Sequence, residues 1–413
     1  MKILFVCAFL NEQGGFENHV CASAQLALDC GHAVAIVTPG KVGSHSTVRA
    51  LEKLVPFHSA EETWRRTFRG RAYYSAAWLK HTTTHRRRPT PAEEVRLANH
   101  KKPRGFVEAF WHRHASDMLP GIDVVHAFGK PKRFVVDAIR CSAALGKPVI
   151  YEELAHVREE YATREDHRCF VGASNLCTRI VAIAERNAHA IRRWFGYRGD
   201  VDVIDQWAFF DERRLLRTER NWPRQSDALV FGSLSRLGHE KGLTTLLHAF
   251  GGARSIMPGL RMKIAGRGAQ EVPMKNLADE LRLGDSVEFL PNVSDRVSFF
   301  EAIDAFVIAS EEEGGPITGV EAMAAGLPIV TTPVGAMPER LRDSEALFVR
   351  VNSVEDLQTA MVRIASDSTL RRELAAAARC RYLTRNHSTI QARKKIELWN
   401  TVGQLPAAAA SHC

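Results

Sequence analysis

The chain has 413 residues, of which 45% are apolar and 25% charged, and its net charge is +9. At roughly 100–200 residues per domain this length implies two or three domains, and a composition so near the globular average excludes a largely disordered chain. The longest uncharged run, Ala322 to Pro338, is shorter than the ~20 apolar residues that span a bilayer, and Gly326, Pro328, Pro333 and Gly335 break it, which excludes a membrane helix there.

The first residues, MKILFVCAFL, place eight apolar residues after Lys2, as a secretory signal does. Asn11, Glu12 and Gln13 follow at once without a small-x-small cleavage pattern, so Ile3–Phe9 reads as a first buried strand. Gly14 and Gly15 come next, then helical spacing of Val20, Ala24, Leu26 and Ala27 up to Gly31, then a second apolar strand from Ala33 to Val37. Unbroken apolar strands alternating with amphipathic helices mark a parallel sheet covered on both faces. The pattern returns with a strand at 123–126 ending in His126, a helix, a strand at 148–151 and another at 179–183.

Between these segments lies a basic insertion at about 58–116, with thirteen Lys/Arg against five Asp/Glu, among Trp64, Tyr73, Tyr74, Trp78, Phe106, Phe110 and Trp111. Basic residues mixed with aromatics suit an anionic membrane surface or a nucleic acid, and the bland alternative is a solvated insertion. We expect the membrane surface, and no nucleic acid. The eight cysteines include no C-x-x-C pair, which argues against a zinc site or a disulfide framework and for reduced core thiols in a cytoplasmic protein.

A polar connector at 211–226 separates residues 1–210 from a second alternating region at 227–384. The pattern there predicts strands at 229–232, 262–265, 287–290, 305–309 and 328–331, and helices at 242–250, 275–283, 295–303 and 319–325. The expected class is therefore α/β, with two Rossmann-like parallel-sheet domains whose strands' carboxyl ends line a ligand cleft. The tail reads as helices and ends in an Ala-rich stretch.

Several groups of residues carry chemistry. Gly14 and Gly15, between a strand and a helix, can present backbone N–H groups to an anion, although a plain tight turn has the same sequence. Arg236 and Lys241 stand on a Gly-punctuated loop after a strand, where two cations suit a diphosphate. Gly266-Arg267-Gly268 lacks the third glycine of a dinucleotide fingerprint, and Pro273 is expected to interrupt the helix that should follow. Asp200-x-Asp202 has a metal–diphosphate spacing but lies in an apparent strand, so we assign no metal. Glu313 and Glu321 flank the turn Gly314-Gly315-Pro316 at a helix start. Carboxylates there accept the paired hydroxyls of a sugar or a ribose, and they also suit a helix dipole with no ligand at all.

With these residues in view, EGGPITGVEAMAAGLPIV (313–330) resembles the E-x7-E signature of the retaining glycosyltransferases of family 4, which have the GT-B fold. FVCAFLNEQGGFENHV, DVVHAFG, FGSLSRLGHEKGLTTLLHAF, KIAGRG and TTPVGAMPERL are similar to further family segments, so the resemblance covers nearly the whole chain. It implies a metal-independent transferase that moves a sugar from a nucleotide-sugar, UDP- or GDP-linked, to an acceptor hydroxyl without another cofactor. It also implies a C-terminal helix, 385–405, that returns to the first domain.

By the same resemblance Glu313 holds the sugar and Glu321 the ribose, with backbone donors from Gly14, Gly15, Gly314 and Gly315. Arg236 and Lys241 bind the phosphates, and His126 or Glu152 lies near the reacting centre. The basic insertion then suggests a lipid-linked or envelope glycan acceptor and a position at the inner face of the plasma membrane. Four departures stand out: Ser233 where the family carries Arg, a short insertion (Leu237, Gly238, His239) before Glu240-Lys241, Glu152-Glu153-Leu154 near the usual His, and Asp205-Gln-Trp-Ala208 in place of N-G-V-D. They leave open a non-catalytic nucleotide-sugar-binding subunit, or an epimerase or phosphorylase on the same fold.

Overall fold

The computed structural model describes residues 1–10, 14–40, 46–65, 104–209, 212–218, 229–290, 293 and 295–405. Most of the basic insertion, including Tyr73, Tyr74 and Trp78, and most of the connector lie outside them. The chain divides into two compact units, one of Met1–Ala182, Ala188–Asp202 and Ile396–Cys413, the other of Ile183–Asn187 and Val203–Lys395.

The first unit is built on a seven-stranded sheet. Its strands are β1 (Lys2–Cys7), β2 (Ala33–Thr38), β3 (Phe57–Ser59), β4 (Val124–Phe128), β5 (Val149–Glu153), β6 (Arg179–Ala182) and β7 (Val201–Val203), in the order 3-2-1-4-5-6-7. β1 pairs in parallel with β2 on one side and with β4 on the other. Both of its faces are covered, so Ile3, Leu4, Phe5 and Val6 are all buried, which is why the strand reads as an unbroken apolar run. The helix Gly15–Asp29 follows β1 and stops where Gly31 turns left-handed, with φ of 77°. Phe110 and Trp111, two of the insertion's aromatics, are buried against Phe134 and belong to the core rather than to a surface.

The second unit carries six strands, β8 (Val230–Leu234), β9 (Arg261–Ala265), β10 (Val287–Leu290), β11 (Ala305–Ile308), β12 (Ile329–Thr331) and β13 (Leu347–Phe348), ordered 10-9-8-11-12-13. Alternate residues of β11 serve opposite cores. Ala305 and Val307 join Phe231, Leu247 and Met361 on one face, while Phe306 and Ile308 join Phe300, Met323 and Leu327 on the other. The helix expected at 275–283 runs Glu271–Glu280, so Pro273 does not interrupt it. Proline is tolerated in a first turn because N–H groups there have no intrahelical acceptor.

No helix among the described residues is long and apolar enough to cross a membrane. The described cysteines are unpaired, yet only Cys7, Cys21 and Cys177 are buried. Cys30 and Cys380 are exposed, so the expectation of core thiols fails for those two.

Candidate active site

In the second unit the chain leaves β8 towards β9 and β10 on one side, and β11 towards β12 and β13 on the other. The carboxyl ends of β8 and β11 therefore form the topological switch point, the usual ligand position in such sheets. Lys241 ends the short 3-10 turn His239–Lys241 after β8, and Glu313 follows β11. A backbone bond from Glu311 N to Glu240 O, 2.9 Å, ties the two loops together. Lys241 Nζ donates to Glu313 Oε1 at 2.6 Å, and Ser310 Oγ donates to the same oxygen at 3.0 Å. With 13% and 17% of their side chains exposed, the two residues form a mostly buried but solvent-reached ion pair. The residues assigned to phosphate and to sugar thus meet in one contact.

Arg236 is placed differently. Its side chain is 63% exposed and donates to Glu240 at 2.8 Å. Desolvation would raise the Glu240 carboxyl, but a backbone hydrogen bond together with Arg236 and Lys241 outweighs it and holds the group below its ordinary range. Glu321 is the fifth residue of the helix Ile317–Ala324 and is buried, and its carboxylate accepts from the guanidinium of Arg296. Arg296 opens the helix Arg296–Glu301, which Asp295 caps by accepting from Ser298 N. Gly314 is held through its carbonyl, which accepts from Ala336 N at 3.0 Å.

In the first unit Gly14 is the N-cap of the helix Gly15–Asp29 and has an extended backbone. The pair lies at the β1/β4 switch point, where first-turn N–H groups can meet an anion. His126 does not end its strand. It is the third of five residues in β4, because Ala127 and Phe128 continue the parallel pairing with β1 and β5, and it has no exposed surface. Trp399 Nε1 donates to His126 Nδ1 at 3.0 Å. An indole nitrogen only donates, so Nδ1 is the acceptor and the ring hydrogen sits on Nε2, 3.1 Å from Glu152 Oε2. The other oxygen of Glu152 meets His19 Nε2 at 2.6 Å. Glu152 is fully buried on β5, so it joins two histidines and two helices within one core network.

The neighbouring Glu153 is also fully buried. The Tyr151 hydroxyl lies 2.6 Å from Gly129 O and 2.7 Å from Glu153 Oε2. The Tyr151 hydroxyl donates to both, and Glu153 also accepts from Ala155 N at 2.9 Å and from the Tyr161 hydroxyl at 3.3 Å. Burial, the largest influence on this carboxyl, raises its pKa and outweighs these hydrogen bonds and Lys130, which lower it.

Asp202 lies in β7, and its carboxylate accepts from Arg179 Nε at 2.8 Å and Nη2 at 2.6 Å. Asp200 stands just before this strand and also faces Arg179, at 3.7 Å, so both acids of the Asp200-x-Asp202 spacing pair with one arginine. Among the described residues, no group of three or more His, Cys, Asp and Glu is placed to hold a metal ion.

Residues 217–381 match the family described as glycosyl transferases group 1. This stretch of the second unit is similar to the group 1 glycosyltransferases. The chain is 30% identical over 218 residues to the lipopolysaccharide core biosynthesis glycosyltransferase LpsE of Rhizobium meliloti, an alignment that covers 52% of this chain and 60% of that protein. It is 28% identical over 158 residues to an uncharacterized glycosyltransferase of Haemophilus influenzae, covering 38% and 42%. The chain therefore spans about half the length of these two relatives. Anabaena Alr3699/HepE, solved in complex with UDP and glucose, superposes with a TM-score of 0.71 over 97% of this chain and 100% of that one, at 17% identity. The fold is that of the GT-B glycosyltransferases, with two Rossmann-like parallel-sheet domains.

Four partners in these networks had no signal in the sequence. His19 is separated from Glu152 by 133 positions and Trp399 from His126 by 273. Arg296 is 25 positions from Glu321 and Arg340, described below, is 135 from Asp205.

Proposed function

We propose that the chain is a retaining, metal-independent glycosyltransferase of family 4 that moves a sugar from a nucleotide-sugar to an acceptor hydroxyl. The observation that carries this reading is the Lys241–Glu313 pair at the β8/β11 switch point of a domain similar to the group 1 glycosyltransferases. In this reading Lys241, with Arg236, stabilises charge on the leaving nucleoside diphosphate, and Glu313 accepts from the sugar hydroxyls. Glu321, aimed by Arg296, accepts from the ribose, while Gly314 and Gly315 offer backbone donors. In the first unit Gly14 and Gly15 present N–H groups to an anion. His126 and Glu152 act from within the core, by setting His19 and the start of its helix.

A UDP-sugar is the first donor to try, because Alr3699/HepE was solved with UDP and glucose. The LpsE likeness supports a lipid-linked or envelope glycan as acceptor. Such an acceptor would place the enzyme at the inner face of the membrane, held by the basic 58–116 segment. A second reading, a non-catalytic nucleotide-sugar-binding subunit, draws on two observations. Ser233, where the family carries Arg, is buried within β8, and Arg236 is already engaged by Glu240.

The test is a panel of nucleotide-sugars scored by thermal stabilisation, followed by assay of the best binder with and without lipid-linked acceptors. Ligand at 100 times its Kd adds about 2.7 kcal/mol to the native state, a readily measured shift. A transferase releases nucleoside diphosphate and yields a glycosylated acceptor. A binding subunit is stabilised and releases nothing, and an epimerase or phosphorylase converts the donor without any acceptor.

A further inference from the structure

The segment Asp205-Gln206, one of the departures from the family pattern, meets Arg340, which closes the run Pro338-Glu339-Arg340. Arg340 has no exposed surface. Its Nε and Nη2 donate to Asp205 Oδ1 at 3.0 and 2.6 Å, Nη2 also donates to Gln206 Oε1 at 3.0 Å, and Nη1 donates to the Pro316 carbonyl at 3.0 Å. One planar fork therefore joins an acid, an amide and the last carbonyl of the turn that begins at Glu313.

Two further contacts press that turn onto the same support. Ala336 N donates to Gly314 O, and Gly335 is left-handed with φ of 53°, where a Cβ would overlap the Gly314 carbonyl oxygen. A Cβ on Gly315 would stand 2.5 Å from Ile183 Cδ1 and 2.9 Å from Arg340 Nη2, so this position needs glycine because the guanidinium lies against it. Two consecutive glycines do not choose a conformation by themselves. The choice is made from outside the turn.

We propose that Arg340, held in turn by Asp205 and Gln206, is a positioning residue that fixes the 313–316 turn and so aims the Glu313 carboxylate. The contact stands on geometry alone, and its effect on turnover rests on the function proposed above. Asp205 and Gln206 are then this chain's own acceptors for the arginine, which gives their departure from N-G-V-D a physical reason.

The discriminating variant is Arg340→Lys, which keeps the charge beside Asp205 but replaces the fork with a single point donor that cannot also hold Pro316. Hydrogen exchange of a peptide spanning 310–318 should quicken, while β8 exchanges as in the parent. The rate of UDP release from UDP-glucose should fall roughly 10- to 100-fold, the scale of a misplaced reacting geometry, with UDP affinity within about threefold. If lysine restores parental exchange at 310–318, or parental turnover, Arg340 merely balances the Asp205 charge and the proposal is overturned.

Should Arg340→Lys fail to fold, Asp205→Asn/Arg340→Met, which buries no unpaired charge, takes its place with the same expected outcomes. If the parent turns over no nucleotide-sugar at all, the functional reading fails, and the exchange measurement alone decides the clamp.

Discussion

Lys241→Ala removes the cation from a contact that is short, charge-assisted and mostly shielded from water. Lys241 Nζ and Glu313 Oε1 are 2.6 Å apart, and in the variant Glu313 keeps Ser310 Oγ at 3.0 Å. A hydrogen bond to a charged group contributes about 1.5–3 kcal/mol, and each 1.36 kcal/mol is tenfold in rate, so kcat/KM should fall roughly 10- to 150-fold. The fall should appear mainly in kcat, because charge grows on the leaving phosphate as the transition state forms.

The assay is nucleoside diphosphate release at saturating acceptor, with far-UV circular dichroism and urea unfolding to show that the fold persists. Combining Lys241→Ala with Glu313→Gln adds a second criterion. Both substitutions break the same contact, so the double variant should lose less than the sum of the singles, with a coupling of about 0.5–3 kcal/mol. A single variant within threefold of the parent would refute this placement of the diphosphate. Strictly additive losses would show that Lys241 and Glu313 act apart.

Glu313→Gln should lower kcat more than Glu321→Gln does, while Glu321→Gln should mainly raise the donor KM, because the ribose end changes little during reaction. Steady-state kinetics with varied donor separate these outcomes. Burial raises the pKa of Glu153 above its ordinary 4.5, so the folded chain holds the proton more tightly than the unfolded one. Stability should therefore decline as pH rises from about 4.5 towards the folded value, and Glu153→Gln should flatten that decline in urea titrations. Trp399→Phe keeps the ring but removes the N–H that fixes His126, so the imidazole 15N shifts of His126 should leave the pattern of a neutral Nε2–H tautomer. Turnover should survive excess EDTA, and loss that manganese or magnesium restores would return the metal role to Asp200 and Asp202.

The alternation of strands and helices was legible because parallel strands buried on both faces leave continuous apolar runs, as β1 and β11 do. Boundaries were less legible. His126 looked terminal because its polar imidazole interrupts an apolar run that Ala127 and Phe128 in fact continue. Pro273 looked like a breaker because its place in the first turn shows only once the helix start is known. The acids at 313 and 321 stood out by spacing and by resemblance, but their partners did not. Lys241 reaches Glu313 through the switch-point topology, and Arg296 reaches Glu321 across two helices, neither of which a local pattern encodes. The clamp of Arg340 on Asp205 and Gln206 was visible only as an unexplained departure. Residues 66–103, with most of the insertion's charge and the expected membrane surface, lie outside the described residues.

The central claim, transfer of a sugar with retention, is tested most directly by the anomeric configuration of the product. The chain would be incubated with the nucleotide-sugar that stabilises it most and with lipid-linked acceptors, and the glycosylated product examined by proton NMR. The account predicts one nucleoside diphosphate released per acceptor glycosylated, with an anomeric coupling that matches the donor's configuration. A product of inverted configuration would contradict the mechanism, and tight donor binding with no glycosylated product from any acceptor would contradict the claim of transfer itself.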